Sequence, residues 1–571
     1  SLLAILLTGR QFLSISIRPL PSYLARAMKV RSHFCALMAL TLSLPGFGQA
    51  PVNFTSSNLP IVVINTNGQT IVDEPKIPAQ MGIIDNGPGI RNQVADPYNN
   101  YNGYIGIELR GSSSQSFPKK QYGIELQDAL GNGIDKSLLG LPKKDDWILF
   151  AAYDDKTLLR DALAYHLGRQ LGRYASRSRF VELVLNGEYQ GVYVLLEKIK
   201  RDKNRVDIAK MDASAVSGDA VTGGYIIKID KSTGSGGAGW TSSFPPEGGK
   251  GWQSIFFQYE YPKQEDITPE QSAYIRQYVY QFEAALHGGQ FQDPVNGYAR
   301  SADRSSFIDY FIMNEVTKNP DGYRLSTFLH KKRDSDGGKL FMGPIWDYNE
   351  GFGNVDYGTY GNTDGFVIDF NGICPDDYWQ IPFWWKRLLQ DSAFRTQLGH
   401  RWTSLRAGAL ATANVLAYVD SVSGVLNAEA QQRNFQQWPI LGTYVWPNYF
   451  IGATYQQEIN WLKDWITYRL EWLDINLRPL VTGIESSRVV LRVFPNPFTT
   501  KLSISYDAGG DMPIDVELYD VSGRRVESVT FSARQGIETA EMNLSALPSG
   551  VYILKTSHDG HQTVQRVVKM P

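Results

Sequence analysis

The sequence predicts an α+β fold that ends in a small all-β sandwich, and three observations carry this reading. Short runs with period-two alternation, such as YIGIEL (104–109) and QYGIEL (121–126), recur through the first part of the chain from Leu59. Apolar residues at helical spacing fill 266–318 and 383–479. After Thr482-Gly483 the composition changes to short alternating strands separated by Gly and Pro turns, a meander of roughly eighty residues.

A chain of 571 residues is too long for one core, and ordinary domain sizes suggest about three or four units. Charge is nearly balanced, −2 overall with pI near 6.4, so no strong field draws the protein to nucleic acid or to an acidic membrane surface. The 13 Trp and 31 Tyr argue against disorder. Only two cysteines occur, Cys35 and Cys374, and the seven His form no HExxH, which excludes a cysteine-tetrad zinc site and a zincin-type hydrolase.

In chain order, Met28-Lys29-Val30-Arg31, the apolar run FCALMALTLSLPGF (34–47) and Gly48-Gln49-Ala50 have the layout of a secretory signal, too short for a membrane span. This places the start at Met28 and the mature N-terminus near Gln49 or Pro51, in a protein that is not integral to the membrane. The expected divisions are 1–50 (upstream segment and signal), 51–482, and 483–571. Arg110, Lys119 and Lys120 flank the turn between the strands YIGIEL and QYGIEL, and Lys120 shares a face with Tyr122 and Ile124. Two readings stand for these lysines: solvated protection of a strand edge, or a cation offered to phosphate. DKTLLRDALAYHLGRQLG (155–172) is a helix, with Asp154 or Asp155 as its N-cap. FVELVL and EYQGVYVLLE are joined at Asn186-Gly187, a strong hairpin signal, and the second strand ends on Glu197, Lys198, Lys200 and Arg201. GSGGAG (234–239) matches a dinucleotide fingerprint in letters, but TSSFPP follows where a helix must open to receive a pyrophosphate, so that fold is rejected. Thr268-Pro269-Glu270 starts one helix and SSFIDYFIMNEVTKN forms a second. Residues from Gly353 to Pro382 read as a Gly- and aromatic-rich loop closing over the site. Trp461, Trp465 and Trp472, on the last long helix, read as core.

The second of those helices delivers the chain to its most informative stretch, Asn314–Gly353. Leu325–Lys332 and Leu340–Trp346 read as the strands of a hairpin, with RDSDGGK as its turn. Such a ribbon brings Asp321, before the first strand, to the same end as Asp347, after the second, with Asn349 close by. Oxygen ligands converging from loops suit a hard divalent cation such as Mg²⁺, with substrate phosphates and water completing the shell. One carboxylate could instead orient an attacking hydroxyl. The plainer alternative is that Asp321-Gly322 is an ordinary turn and Asp347 caps an irregular segment.

RGSSSQSFPKK (110–120), DDKTLLRDALAYHLGRQLG (154–172), LNGEYQGVYVLLEKIKRD (185–202), NPDGYRLSTFLHK (319–331) and IWDYNEGFG (345–353) together resemble the CotH kinase family of atypical secreted or surface-associated protein kinases. Phe494-Pro495-Asn496-Pro497-Phe498, Leu518-Tyr519-Asp520 with Gly523, Gly550-Val551-Tyr552 and Arg566-Val567-Val568-Lys569 resemble the C-terminal sorting domain of the type IX secretion system of Bacteroidetes. The first resemblance implies a two-lobed kinase-like domain with ATP as substrate and Mg²⁺ as cofactor. By it Asp321 is the base for the acceptor hydroxyl, and Asp347 a metal ligand. Ser326, five residues after Asp321, stands where kinases carry a metal-binding Asn, and Asn349 compensates. Arg110 and Lys120 contact phosphates, Glu197 positions a lysine, and Lys198 touches nucleotide. The second resemblance implies the type IX secretion machinery as a partner and delivery through the periplasm to the cell surface or medium. The reading is therefore an exported Ser/Thr kinase acting on a protein acceptor. Its alternatives are a surface binding or adhesion protein that kept the scaffold and lost turnover, and a glycan-active protein using paired carboxylates.

Overall fold

The computed structural model describes residues 52–231, 238–482, 490–508, 512–533, 536–558 and 561–570. The signal segment with Met28 and Cys35, and the junction at 483, lie outside them. Seven strands close into a barrel: β1 (Ile61–Asn65), β2 (Ile77–Ile84), β3 (Tyr101–Arg110), β4 (Gln121–Gln127), β5 (Asp146–Phe150), β6 (Ser178–Leu185) and β7 (Glu188–Glu197), ordered β1-β2-β3-β4-β5-β7-β6. Neighbours are antiparallel except β6 and β1, whose parallel pairing, Ile61 with Glu182 to Ile64 with Leu185, closes the ring and leaves no free edge. Alternate residues point inward, so Val62, Ile64, Ile105, Ile107, Ile124 and Leu195 share one apolar core. The β6–β7 turn is Asn186-Gly187, at φ 51° and 84°, the left-handed pair that a two-residue hairpin needs.

Between β5 and β6 runs α1 (Arg160–Gln170). Neither Asp154 nor Asp155 is its N-cap: Leu159 holds that place without a side-chain bond. Asp155 acts one turn earlier, accepting from the backbone N–H groups of Thr157 and Arg160 and pairing with the Arg160 guanidinium at 2.5 Å.

A second, five-stranded antiparallel sheet contains β8 (Tyr225–Ile229), β9 (Gly239–Thr241), β10 (Phe256–Tyr261), β11 (Thr327–Lys331) and β12 (Leu340–Met342), ordered β9-β10-β8-β11-β12. GSGGAG lies largely outside the described residues, and its last residue, Gly239, opens a strand. Helices α2 (Pro269–His287), α3 (Arg304–Thr317), α4 (Ser392–Arg406), α5 (Thr412–Asn427), α6 (Ala430–Gln437) and α7 (Tyr455–Thr482) pack around this sheet and α1 in one large core. The start of α2 is a reciprocal capping box between Thr268 and Gln271 with Pro269 in the first turn. Trp461 and Trp465 are buried in that core, and Trp472 packs against it.

The tail holds β13 (Val490–Phe494), β14 (Lys501–Ala508), β15 (Met512–Asp520), β16 (Arg525–Ala533), β17 (Gly536–Asn543), β18 (Gly550–His558) and β19 (His561–Lys569). Its two sheets, β13-β14-β17 and β16-β15-β18-β19, enclose a separate core of Leu502, Ile504, Ile514, Val516, Leu518 and Leu554. It meets the main body through Thr363 Oγ1, which donates to Asn496 O at 3.1 Å, and Arg566, which donates to the Tyr468 hydroxyl at 3.2 Å. Among the described residues no helix is long and apolar enough to cross a membrane.

Candidate active site

The chain leaves α3 at Lys318, whose left-handed backbone (φ 48°) turns it toward β11. Lys318 Nζ donates to the carbonyls of Thr359 (2.6 Å), Asn362 (3.0 Å) and Asp364, fastening the long loop that follows the hairpin. Gly322 is required where it stands: a Cβ there would lie 2.2 Å from Asn314 Oδ1. Asp321 pairs with Arg324 at 2.6 Å. β11 and β12 pair from Leu329↔Met342 to Lys331↔Leu340, so both flanking segments emerge at one end of the ribbon. Asn319 Nδ2 stitches them together by donating to the carbonyl of Asp347 at 3.0 Å.

Asp347 is clamped through its backbone. Its N–H donates to the Tyr165 hydroxyl at 3.1 Å, and its φ of 65° is one that residues other than glycine seldom adopt. Its carboxylate, by contrast, has no hydrogen bond or ion pair among the described residues. It keeps solvent-accessible surface while protein surrounds it closely. That enclosure, then the charges of Asp321 and Asp230, push its pKa up to about 6 against the pull of Arg110 and Lys231. Arg110, at the end of β3, lies over the Trp346 ring at 5.5 Å, and Trp346 stacks on Tyr165. The Arg110 guanidinium likewise has no hydrogen-bond or ion-pair partner among the described residues. Burial draws its pKa down and Asp347 opposes this.

More carboxylates surround the pair. Burial raises Asp154 to about 7, and Asn349 Nδ2 donates to its Oδ2 at 2.6 Å. That bond fixes the Asn349 amide, whose side-chain Oδ1 has no hydrogen-bond partner among the described residues. Asp161, in the first turn of α1, accepts the Tyr348 N–H at 2.6 Å, and burial, then Asp347, hold its pKa well above the carboxylate range. Glu350 accepts from the Tyr357 hydroxyl at 2.8 Å and is raised by burial, then Asp321. Among the described residues no three His, Cys, Asp or Glu could hold a metal ion unaided. The donors are nonetheless all oxygen, and carboxylates raised by enclosure and mutual repulsion suit Mg²⁺, which usually takes one or two of them and fills its shell from phosphates and water.

Of the residues singled out in the sequence, Arg110, Asp321, Asp347 and Asn349 come together. Lys198 is near Arg110 and lies 4.0 Å from Asp146. Ser326 sits at φ 47°, one residue before β11, and its side chain makes no hydrogen bond among the described residues. Lys120 instead donates to Gln115 O at 2.7 Å, within the turn before β4. Its neighbour Lys119 is the buried one, donating to Val192 O and to Asn434 Oδ1 against α6, and burial lowers its pKa to about 7. The alternation of β4 begins at Gln121, so it does not govern the two lysines before it. Glu197 meets no lysine: it is wholly buried, accepts from Arg177 at 2.9 Å and lies 3.8 Å from Arg205. Sequence reasoning missed Asp161, Asp230, Lys231 and Glu350. Of these only Glu350 had a local signal, its place in WDYNEGFG. Asp230 follows β8 one step beyond the pair Ile229↔Thr327, a consequence of sheet order alone.

Comparison with known proteins agrees with the two-part architecture. Residues 107–473 match the family described as CotH kinase protein, and residues 492–570 match the secretion system C-terminal sorting domain. The CotH match begins inside β3, so β1 and β2 complete the barrel from outside the matched region. No curated protein matches. Among solved structures, dimeric latent PorU from Porphyromonas gingivalis aligns at 22% identity over 15% of this chain and 10% of that one, with a TM-score of 0.14. With more than half of its length matched, the chain belongs to the CotH kinase family and carries a secretion sorting domain that implies the type IX machinery.

Proposed function

We propose that the cluster around Asp347 binds a metal-nucleotide complex. On this reading the protein is an exported kinase transferring the γ-phosphoryl group of ATP to a Ser or Thr hydroxyl of a surface or secreted protein. The observation that carries this is the pair Asp347 and Arg110. A carboxylate and a guanidinium, both without a hydrogen-bond or ion-pair partner among the described residues, lie within electrostatic reach of each other in a CotH-family chain. Asp347 and the Asn349 carbonyl oxygen are the groups to hold Mg²⁺, with Ser326 as a weaker ligand. The ion, when bound, supplies neutralisation of phosphate charge. Arg110, Lys198 and Lys231 provide the protein's own positive charge toward the phosphates. Asp321, oriented by Arg324, accepts the acceptor hydroxyl's proton while its oxygen bonds to the γ-phosphorus and the bond to the β-phosphate oxygen breaks, releasing ADP. The barrel then acts as the smaller lobe and the five-stranded sheet with its helices as the larger.

Two features favour a second reading, a surface binding protein that retains the nucleotide site without turnover. Arg324 already pairs with the Asp321 carboxylate at 2.6 Å, and Ser326 stands in place of the usual amide ligand. Transfer of label from γ-³²P-ATP to the protein itself or to dephosphorylated casein separates the two. A kinase loses about a hundredfold or more of its rate on Asp321→Asn. Wild type that binds Mg²⁺-ATP yet transfers no label is the binding protein.

A further inference from the structure

A cavity of about 330 Å³ lies apart from the carboxylate cluster: Asp321, Asp347, Asn349 and Arg110 do not line it. It lies among the C-terminal end of α1, α3 and the hairpin β11–β12, and its size is at the lower end for small-molecule sites. Leu171, Met313, Met342 and Ile345 give it apolar walls, while Arg173, His330 and Lys332 give it a polar side.

The chemistry of that polar side is specific. His330 Nδ1 is 3.0 Å from the carbonyl of Gly343. A carbonyl only accepts, so Nδ1 carries the proton and Nε2 presents a lone pair. Nε2 has no hydrogen-bond partner among the described residues, and the ring is half-buried in the cavity lining. Surrounding protein, then Lys332 and Arg173, keep the imidazole neutral, its pKa down to about 4. Lys332 is only loosely paired, 3.7 Å from the exposed Asp336. Arg173 donates to Asp309 at 2.7 Å and to the Ser305 hydroxyl at 2.8 Å and lies 3.9 Å from Asp303, while the other oxygen of Asp309 is taken by Arg401 at 2.7 Å, which leaves Lys332 the least tightly paired cation of this side. Asp207, the other acid lining the cavity, is exposed to solvent.

We propose that this cavity is a second ligand site, for a small amphiphilic anion carrying a hydroxyl. The anionic group meets Arg173 and Lys332, an aromatic or branched body lies on Met313 and Met342, and the hydroxyl donates to His330 Nε2. The inference is independent of the kinase reading. The test titrates the full chain, without nucleotide, with 4-hydroxyphenylacetate by ligand-observed NMR and calorimetry. Saturable binding with Kd on the order of a millimolar is expected for a ligand of this size. Phenylacetate, lacking the hydroxyl, and 4-hydroxyphenylethanol, lacking the carboxylate, should each bind about fivefold or more weakly. Lys332→Gln should weaken the two carboxylates and leave 4-hydroxyphenylethanol unchanged, while His330→Phe should abolish the preference for the hydroxyl, both variants remaining folded by circular dichroism. Absence of saturable binding to folded wild type, or equal affinity for all three probes, would overturn the proposal. So would binding indifferent to both substitutions.

Discussion

At the scale of single residues, what separates the cations near the site is which of them have partners. Among the described residues Arg110 has no ion pair or hydrogen bond and lies near Asp347, whereas Lys120 donates to Gln115 O, so the two should respond differently to removal. Arg110→Ala should weaken Mg²⁺-ATP binding by roughly 10- to 100-fold, the worth of a charge-assisted contact, and Lys120→Ala by less than about twofold, read by calorimetry. Asp347 makes a prediction of pH dependence. Its folded pKa, about 6, lies above the ordinary carboxylate value, so its ionisation opposes folding. That cost is absent below about pH 4, grows as pH rises to 6, and is constant above. Asp347→Asn should therefore stabilise the protein at pH 7.5, by about 1 kcal/mol once solvent screening of this exposed group is discounted, and should change nothing at pH 4, as urea unfolding would show. Metal-nucleotide affinity should rise through the same window, because the ligand must be ionised.

Among the elements, those with local signals were legible in the sequence. Asn186-Gly187 made its hairpin, Thr268 its capping box, and the turn before Leu340 its ribbon. These depend on a few adjacent residues and on backbone preferences that tertiary contacts did not override. The lysine before β4 was misjudged because strand alternation was extended past the strand. Glu197 was given a lysine partner because its arginines, Arg177 and Arg205, come from separate loops. The packing of α3 on α7 was equally invisible, and it rests on a buried ion pair. Arg469, wholly buried on α7, lies 3.2 Å from Glu315 on α3 and donates to the carbonyls of Glu315, Thr363 and Gly365. Glu315 also accepts from the N–H groups of Val367 and Ile368, so one pair fixes two helices and the loop beside the site. Arg469→Met should cost about 3 kcal/mol by leaving a buried charge uncompensated, and adding Glu315→Gln should recover part of that loss, measured as a double-mutant cycle in urea.

For the whole molecule, the order of structure along the chain differs from its order in space. Barrel closure pairs residues 61–64 with 182–185, and no feature of either segment announces the other. The site likewise draws Arg110 from the barrel, Asp161 from α1, Asp230 from β8, and Asp321 and Asp347 from the hairpin flanks. Only the last two were joined by a signal short enough to read. The tail was legible because its strands and core are self-contained. What unites the assembly is an enclosed group of carboxylates with Arg110 beside them, an arrangement costly to the fold that a metal-nucleotide ligand would relieve under the proposed function. The most direct measurement is therefore thermal melting of the exported chain with Mg²⁺-ATP, with ATP and EDTA, and with neither, for wild type and Asp347→Ala. A ligand that binds only the native state contributes about 2.7 kcal/mol at a hundredfold excess over Kd, a shift of several degrees. The account predicts that shift for wild type with Mg²⁺-ATP and its loss both with EDTA and in Asp347→Ala. An unshifted midpoint for folded wild type at saturating nucleotide, or an equal shift in the variant, would contradict it.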